Sequence, residues 1–212
     1  MGMTDWDARW REGETPWDKG EPAPPLLECL DGPDGEFLAG ARVLVPGCGS
    51  GHDVRALARA GATVTGLDLS PTALEVAQSF PEVGGETYLP GDFLEWHSEC
   101  FDAVWEHTCF CAIDPADRGR YAAAASRLIR PAGRLVGVFY LTPWDPDEEP
   151  DGPPHASDRD EIVRHFSPWF SLIREKVPER AYPGREGREW LVAMERNTAE
   201  PGSCGRGAGG LS

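Results

Sequence analysis

Two hydrophobic rhythms alternate along this chain from about residue 41 onward. ARVLVPG (41–47) is a short apolar run closed by glycine. DVRALARAG (53–61) follows with Val54, Leu57 and Ala58 on one helical face and Gly61 as a stop. ATVTGLD (62–68) is a second strand, after which Ser70-Pro71 opens a helix that turns Ala73, Leu74 and Ala77 inward. ETYLPGDF (86–93) gives a third strand and turn, and FDAVWEH (101–107) a fourth. PADRGRYAAAASRLIRP (115–131) predicts a helix ended by Pro131, and GRLVGVFYL (133–141) a fifth strand. Ser157 caps a short helix through about His165. WFSLIREKV (169–177) and REWLVAMER (188–196) read as an antiparallel pair at the sheet edge. Strands alternating with helices make βαβ units, so the expected fold is a doubly wound α/β domain: a seven-stranded, mostly parallel sheet with helices on both faces.

Three segments fall outside this rhythm. Residues 1–40 carry Trp6, Trp10 and Trp17 among charged neighbours, ahead of the first strand, and are expected to form an arm. Residues 142–156, TPWDPDEEPDGPPHA, predict a long loop at the end of the fifth strand, where loops usually serve function. Residues 197–212 have no period and are expected to be a disordered tail, leaving 41–196 as the catalytic domain.

Composition narrows the function classes. Of 212 residues, 36 are acidic and 20 basic, a formal charge of −16 whose field repels phosphate backbones and anionic lipid surfaces. Neither a nucleic acid nor a membrane is therefore an expected partner; no apolar run approaches membrane-spanning length, and the start shows no leader pattern. The six cysteines are scattered without a Cys-x-x-Cys pair, which fits reduced thiols in a cytoplasm better than a metal site.

The chemistry is concentrated at strand ends. VLVPGCGSGHD (43–53) places Gly47, Gly49 and Gly51 between first strand and first helix, where a missing Cβ lets backbone approach a ligand. Asp68, 21 residues after Gly47 at the end of the second strand, is placed to accept hydrogen bonds from a ribose diol. The G-x-G-x-G spacing differs from the dinucleotide G-x-G-x-x-G, and no phosphate-binding lysine loop is present, so a phosphate-free adenosine cofactor, S-adenosylmethionine, fits best. Asp92, in the PGDF turn, is placed to accept from an adenine amino group, with Phe93 packing on the ring. A nicotinamide oxidoreductase or a non-catalytic cofactor-binding module would share parts of this pattern.

The ordered set WDARW, TPWDKG, VLVPGCGSGHDV, GLDLSPTAL, GDF, FDAVWEHTCFCAIDPADRGRYA and DGPPH resembles the thiopurine S-methyltransferase family and, within it, the thiol, thiocyanate and halide methyltransferase branch. The resemblance implies a class I methyltransferase. In it Trp6, Trp10 and Trp17 form a lid over the cofactor, Gly47 and Asp68 hold its amino-acid and ribose parts, Asp92 and Phe93 flank the adenine, and His107 lines the site beside the methyl donor. The thiopurine branch usually carries arginine where this chain has His107, and the thiol and halide branch tyrosine, so large anionic aromatic thiols are less expected substrates than a small nucleophile. His107 and Tyr140 are the candidate catalytic groups, with Glu106 and His155 as further polar residues nearby; methyl transfer itself needs no nucleophilic side chain. A thiol or hydrosulfide is the expected substrate, with thiocyanate, halide or thiopurine as alternatives.

Overall fold

The computed structural model describes residues 4–145, 148 and 152–198. Its strands are β1 (Arg42–Pro46), β2 (Thr63–Asp68), β3 (Glu86–Pro90), β4 (Phe101–His107), β5 (Ile129–Tyr140), β6 (Phe170–Lys176) and β7 (Glu189–Arg196). They form one sheet in the order β3-β2-β1-β4-β5-β7-β6. The pairs from β3 through β5 are parallel, and β7 runs antiparallel to both β5 and β6. The switch in strand order lies between β1 and β4, whose carboxyl ends border the crevice where doubly wound folds bind ligands.

The helices are α1 (Trp6–Glu12), α2 (Pro24–Leu30), α3 (Pro33–Leu38), α4 (His52–Arg59), α5 (Pro71–Ser79), α6 (Arg118–Leu128) and α7 (Arg159–Phe166). They cover two separate cores. One gathers Leu26, Leu38, Val54, Leu57, Trp105, Val136 and Tyr182. The other gathers Phe110, Tyr121, Leu128, Phe139, Phe166 and Trp190 on the opposite face. Alternation along β4 explains the division: Trp105 faces the first core and Val104 the second.

The structure differs from the sequence expectation in three places. Within the first forty residues, α2 and α3 bury Leu26 and Leu38 completely, so this stretch contributes to the core; each begins with proline, which suits a first turn, but both are too short to show a helical period. α6 ends at Leu128, three residues before Pro131, because β-branched Ile129 pairs with Phe101 and opens β5; the strand then turns at Ala132, whose φ is +57°, before resuming the ladder at Arg134. The cap of α7 is Asp158, whose carboxylate accepts from Glu161 N at 2.7 Å, one residue beyond Ser157. The expected tail lies outside the described residues from 199 onward, as does part of the 142–156 loop.

Candidate active site

The glycine turn follows β1 directly. Gly47 and Gly49 take φ of +58° and +52°, a region that disfavours side chains, and a Cβ on Gly49 would lie 3.3 Å from the Trp10 ring. Gly51 is more tightly held, because a Cβ there would meet the Tyr88 ring at 2.6 Å. The turn is tied to β2 by Asp68: Oδ2 accepts from Gly49 N at 2.8 Å and Oδ1 from Ser70 N at 2.9 Å. Only 8% of Asp68 is exposed, so the carboxylate organises the turn, and these two bonds leave it further lone pairs. Burial raises its pKa, opposed by the Ser70 and Gly49 amides. Leu69, beside it, is 53% exposed, a large apolar side chain at the carboxyl edge of the sheet.

Trp6, Trp10 and Trp17 do come together. The Trp17 ring meets Trp6 edge-on at 5.3 Å and Trp10 at 6.3 Å, and the Arg9 guanidinium lies 4.6 Å from its centroid. Asp7, absent from the sequence reading, docks this arm. Its carboxylate accepts from Ser70 Oγ at 2.7 Å and Thr72 N at 3.1 Å, so α1 supplies a second cap to α5. Those bonds, the Ser70 hydroxyl first, hold the Asp7 carboxyl below its ordinary value.

Beyond β3, Asp92 Oδ1 accepts from Leu94 N at 2.9 Å, which fixes the turn. Phe93 is 5% exposed and its ring packs 4.7 Å from Tyr121 in the second core. It therefore backs the turn from within, and Leu69 is the apolar group that projects at the edge.

The end of β4 divides its polar residues between faces. Glu106 is wholly buried on the second-core side, where it accepts from Phe110 N at 2.8 Å and from the Tyr121 hydroxyl. Burial pushes its carboxyl up to about 7 despite those donors, and its bonds shape the Thr108–Phe110 turn from beneath. His107 faces the first core, 15% exposed, with the Tyr182 ring stacked at 6.2 Å. Its Nδ1 lies 3.0 Å from Asp53 Oδ2. Asp53, in the first turn of α4, also accepts from Trp105 Nε1 at 2.8 Å and Ala23 N at 2.7 Å. Burial opposes ionisation of Asp53, yet His107 and these donors outweigh it and its pKa is lowered. Nothing in the sequence singled out Asp53, because its partners lie far along the chain.

Tyr140 stands farther away. Its hydroxyl lies 3.3 Å from Pro143 O and its ring packs under Arg185, which also stacks on Tyr182 and pairs with Glu189 at 3.4 Å. His155 faces a structural task through its backbone: its N–H donates to Cys111 O at 2.7 Å, while buried Arg118 binds the His155 and Ala156 carbonyls and Glu161. Burial raises the thiols of Cys48 and Cys109 well above their ordinary value and that of Cys111 to about 12, so all three stay protonated. Among the described residues no three His, Cys, Asp or Glu groups are arranged to hold a metal.

The residues present fit an adenosine cofactor: a turn that side chains would obstruct, a buried carboxylate with lone pairs to spare, and an exposed apolar neighbour. Comparison with known proteins agrees. The family model described as thiopurine S-methyltransferase matches residues 1–197. The chain is 34% identical to a probable thiol methyltransferase 2 of Arabidopsis thaliana, over 91% of this chain and 85% of that one. It is 33% identical to thiocyanate methyltransferase 1 of the same plant, over 88% and 82%. It is 30% identical to a thiopurine S-methyltransferase of Pseudomonas aeruginosa, over 76% and 80%. Among solved structures it is similar, at a TM-score of 0.66 and 20% identity over 92% and 86% of the two chains, to a Burkholderia thailandensis N1-methyltransferase bound to S-adenosylhomocysteine.

Proposed function

Because the chain belongs to the thiopurine S-methyltransferase family and is an S-adenosylmethionine-dependent methyltransferase, we propose that it methylates a small sulfur nucleophile, a thiol or hydrosulfide. S-adenosylmethionine supplies an electrophilic methyl group on a sulfonium sulfur. Asp68 would hold the ribose, Gly47 and Gly49 the amino-acid part, and Asp92 and Leu69 the adenine, with Phe93 supporting the Asp92 turn from the core. Trp6, Trp10 and Trp17 would cover the site as a lid of residues 5–20, narrower than the first forty residues because α2 and α3 belong to the core. Closing such a lid excludes water, and alignment of the nucleophile then supplies much of the rate.

The observation that carries the substrate class is His107: a half-buried imidazole held between Asp53 and Tyr182, where an arginine would favour a large anionic thiol. Tyr140, one ring and one guanidinium removed through Tyr182 and Arg185, would shape the rim. The buried, protonated thiols suit a reducing compartment, and we assign the enzyme to the cytoplasm. No helix among the described residues is long and apolar enough to cross a membrane.

A panel of alkyl thiols, hydrosulfide, thiocyanate, iodide and a thiopurine with methyl-labelled cofactor tests the reading. Higher kcat/KM for small thiols or hydrosulfide supports it, and preference for the thiopurine over every small thiol defeats it. Thiocyanate or halide is the second reading, favoured by the similarity to thiocyanate methyltransferase 1.

A further inference from the structure

His107 is only half satisfied. Asp53 takes Nδ1, whereas Nε2 is buried and has no hydrogen-bond partner among the described residues. An ionised carboxylate can only accept, so Nδ1 carries the ring proton and neutral imidazole presents a bare lone pair at Nε2. Asp53 cannot swing away, because Ala23 N and Trp105 Nε1 hold it at 2.7 and 2.8 Å. The Tyr182 ring, itself anchored by its hydroxyl to Glu21 O at 2.9 Å, limits rotation of the imidazole. A buried acceptor left empty is costly, and an incoming S–H would satisfy it.

We propose that Asp53 is a positioning residue that makes His107 Nε2 the proton acceptor for a protonated thiol or hydrosulfide, an assignment that rests on the sulfur-substrate reading above. The S–H bond breaks with its proton passing to Nε2 and its electron pair staying on sulfur. That pair forms the new S–CH3 bond while the donor's methyl–sulfur bond breaks onto the departing thioether, and the imidazolium later returns its proton to solvent. The charged and titratable groups that act on the ring are Asp53 from α4, Glu106 on the far face of β4, Glu189 of β7 with its partner Arg185, and the stacked Tyr182, on which Asp18 and Glu21 of the arm act in turn. Negative groups predominate among them and compensate the charge that develops on the ring. A general base of this kind contributes about 10²–10⁴-fold to a rate.

The test pairs Asp53→Asn and His107→Gln with two kinds of sulfur substrate at pH 7: an alkyl thiol that is mostly protonated and an aromatic thiol already ionised. Expected is a fall in kcat/KM of about 10²–10³-fold for the alkyl thiol, shrinking as pH rises and thiolate is supplied, with a change under about threefold for the ionised thiol. Nitrogen-15 spectra of the free enzyme should show Nε2 of His107 unprotonated in wild type and the tautomer redistributed in Asp53→Asn. A single cooperative thermal transition in each variant shows that both fold, and rates taken at saturating cofactor keep any change in cofactor affinity out of the comparison. Equal losses with both thiols, or a protonated Nε2 in neutral wild-type imidazole, would overturn the dyad. A wild type that methylates iodide or thiocyanate but no thiol overturns the substrate reading and the proposal together, and does so before any variant is made.

Discussion

Asp68 and Glu106 are both buried carboxylates raised above their ordinary pKa, but burial does different things at each. Asp68 binds Gly49 N and Ser70 N, so removing it leaves two amides without an acceptor. Asp68→Ala should therefore cost about 1.5–3 kcal/mol of cofactor affinity and also lower the melting temperature, because each abandoned buried donor costs about 1–3 kcal/mol. Calorimetry and thermal unfolding check this; unchanged affinity in a folded variant would remove the ribose assignment. Glu106 is wholly buried and is engaged by Phe110 N and the Tyr121 hydroxyl. Its carboxyl titrates near 7 in the folded chain and lower when unfolded, so the folded state binds the extra proton between those values. The stability this proton confers is fully present below the unfolded value and is lost as pH rises through about 7. Glu106→Gln, which resembles the protonated acid, should flatten that fall in urea melts between pH 5 and 8, and a slope identical to wild type would show that another group is responsible.

At the scale of elements, what the sequence made legible is what has a period. The strands follow from short apolar or alternating runs, apart from the opening of β5 at Ile129, and α4 to α7 from the helical segments between them; the glycine turn and Asp68 follow from where those runs stop. The helices α2 and α3 have seven and six residues, too few for a period, and so their place in the core was hidden. Asp53 was hidden for another reason: in the chain it is an ordinary first-turn acid, and its partners Ala23, Trp105 and His107 lie 30, 52 and 54 residues away. Asp7 reaches Ser70 across 63 residues and was equally invisible. This contact makes α1 a testable element. Asp7→Ala should release the arm from α5, because the Ser70 hydroxyl and the Thr72 amide lose the carboxylate they donate to. Amide exchange across residues 5–20 should slow on adding cofactor to wild type and respond less in the variant. Equal protection with and without cofactor would make the arm a fixed packing element. Gly51 joins the turn to α4, and Gly51→Ala combines a positive φ with crowding against Tyr88, an expected loss of about 2–4 kcal/mol in denaturant unfolding.

For the whole molecule the dominant quantity is the charge of −16, which acts oppositely on the two reactants. A sulfonium cofactor is drawn toward such a surface, while thiocyanate, iodide and free thiolates are repelled. Several carboxylates stand close to the crevice itself, Asp68, Asp7 and Asp53 among them, so the local field has the same sign as the global one. A neutral thiol crosses that field without penalty and can be ionised only once it has arrived. The repulsion acts through solvent over a Debye length of about 10 Å at 0.1 M salt, and about 30 Å at 0.01 M. With cofactor saturating, raising salt from 0.01 to 0.3 M should therefore increase kcat/KM for thiocyanate or iodide several-fold and leave a protonated alkyl thiol nearly unchanged. Steady-state kinetics at fixed pH read this directly. If neutral and anionic nucleophiles respond alike, the field does not select between them, and the proposed preference for small thiols must come from the shape of the crevice alone.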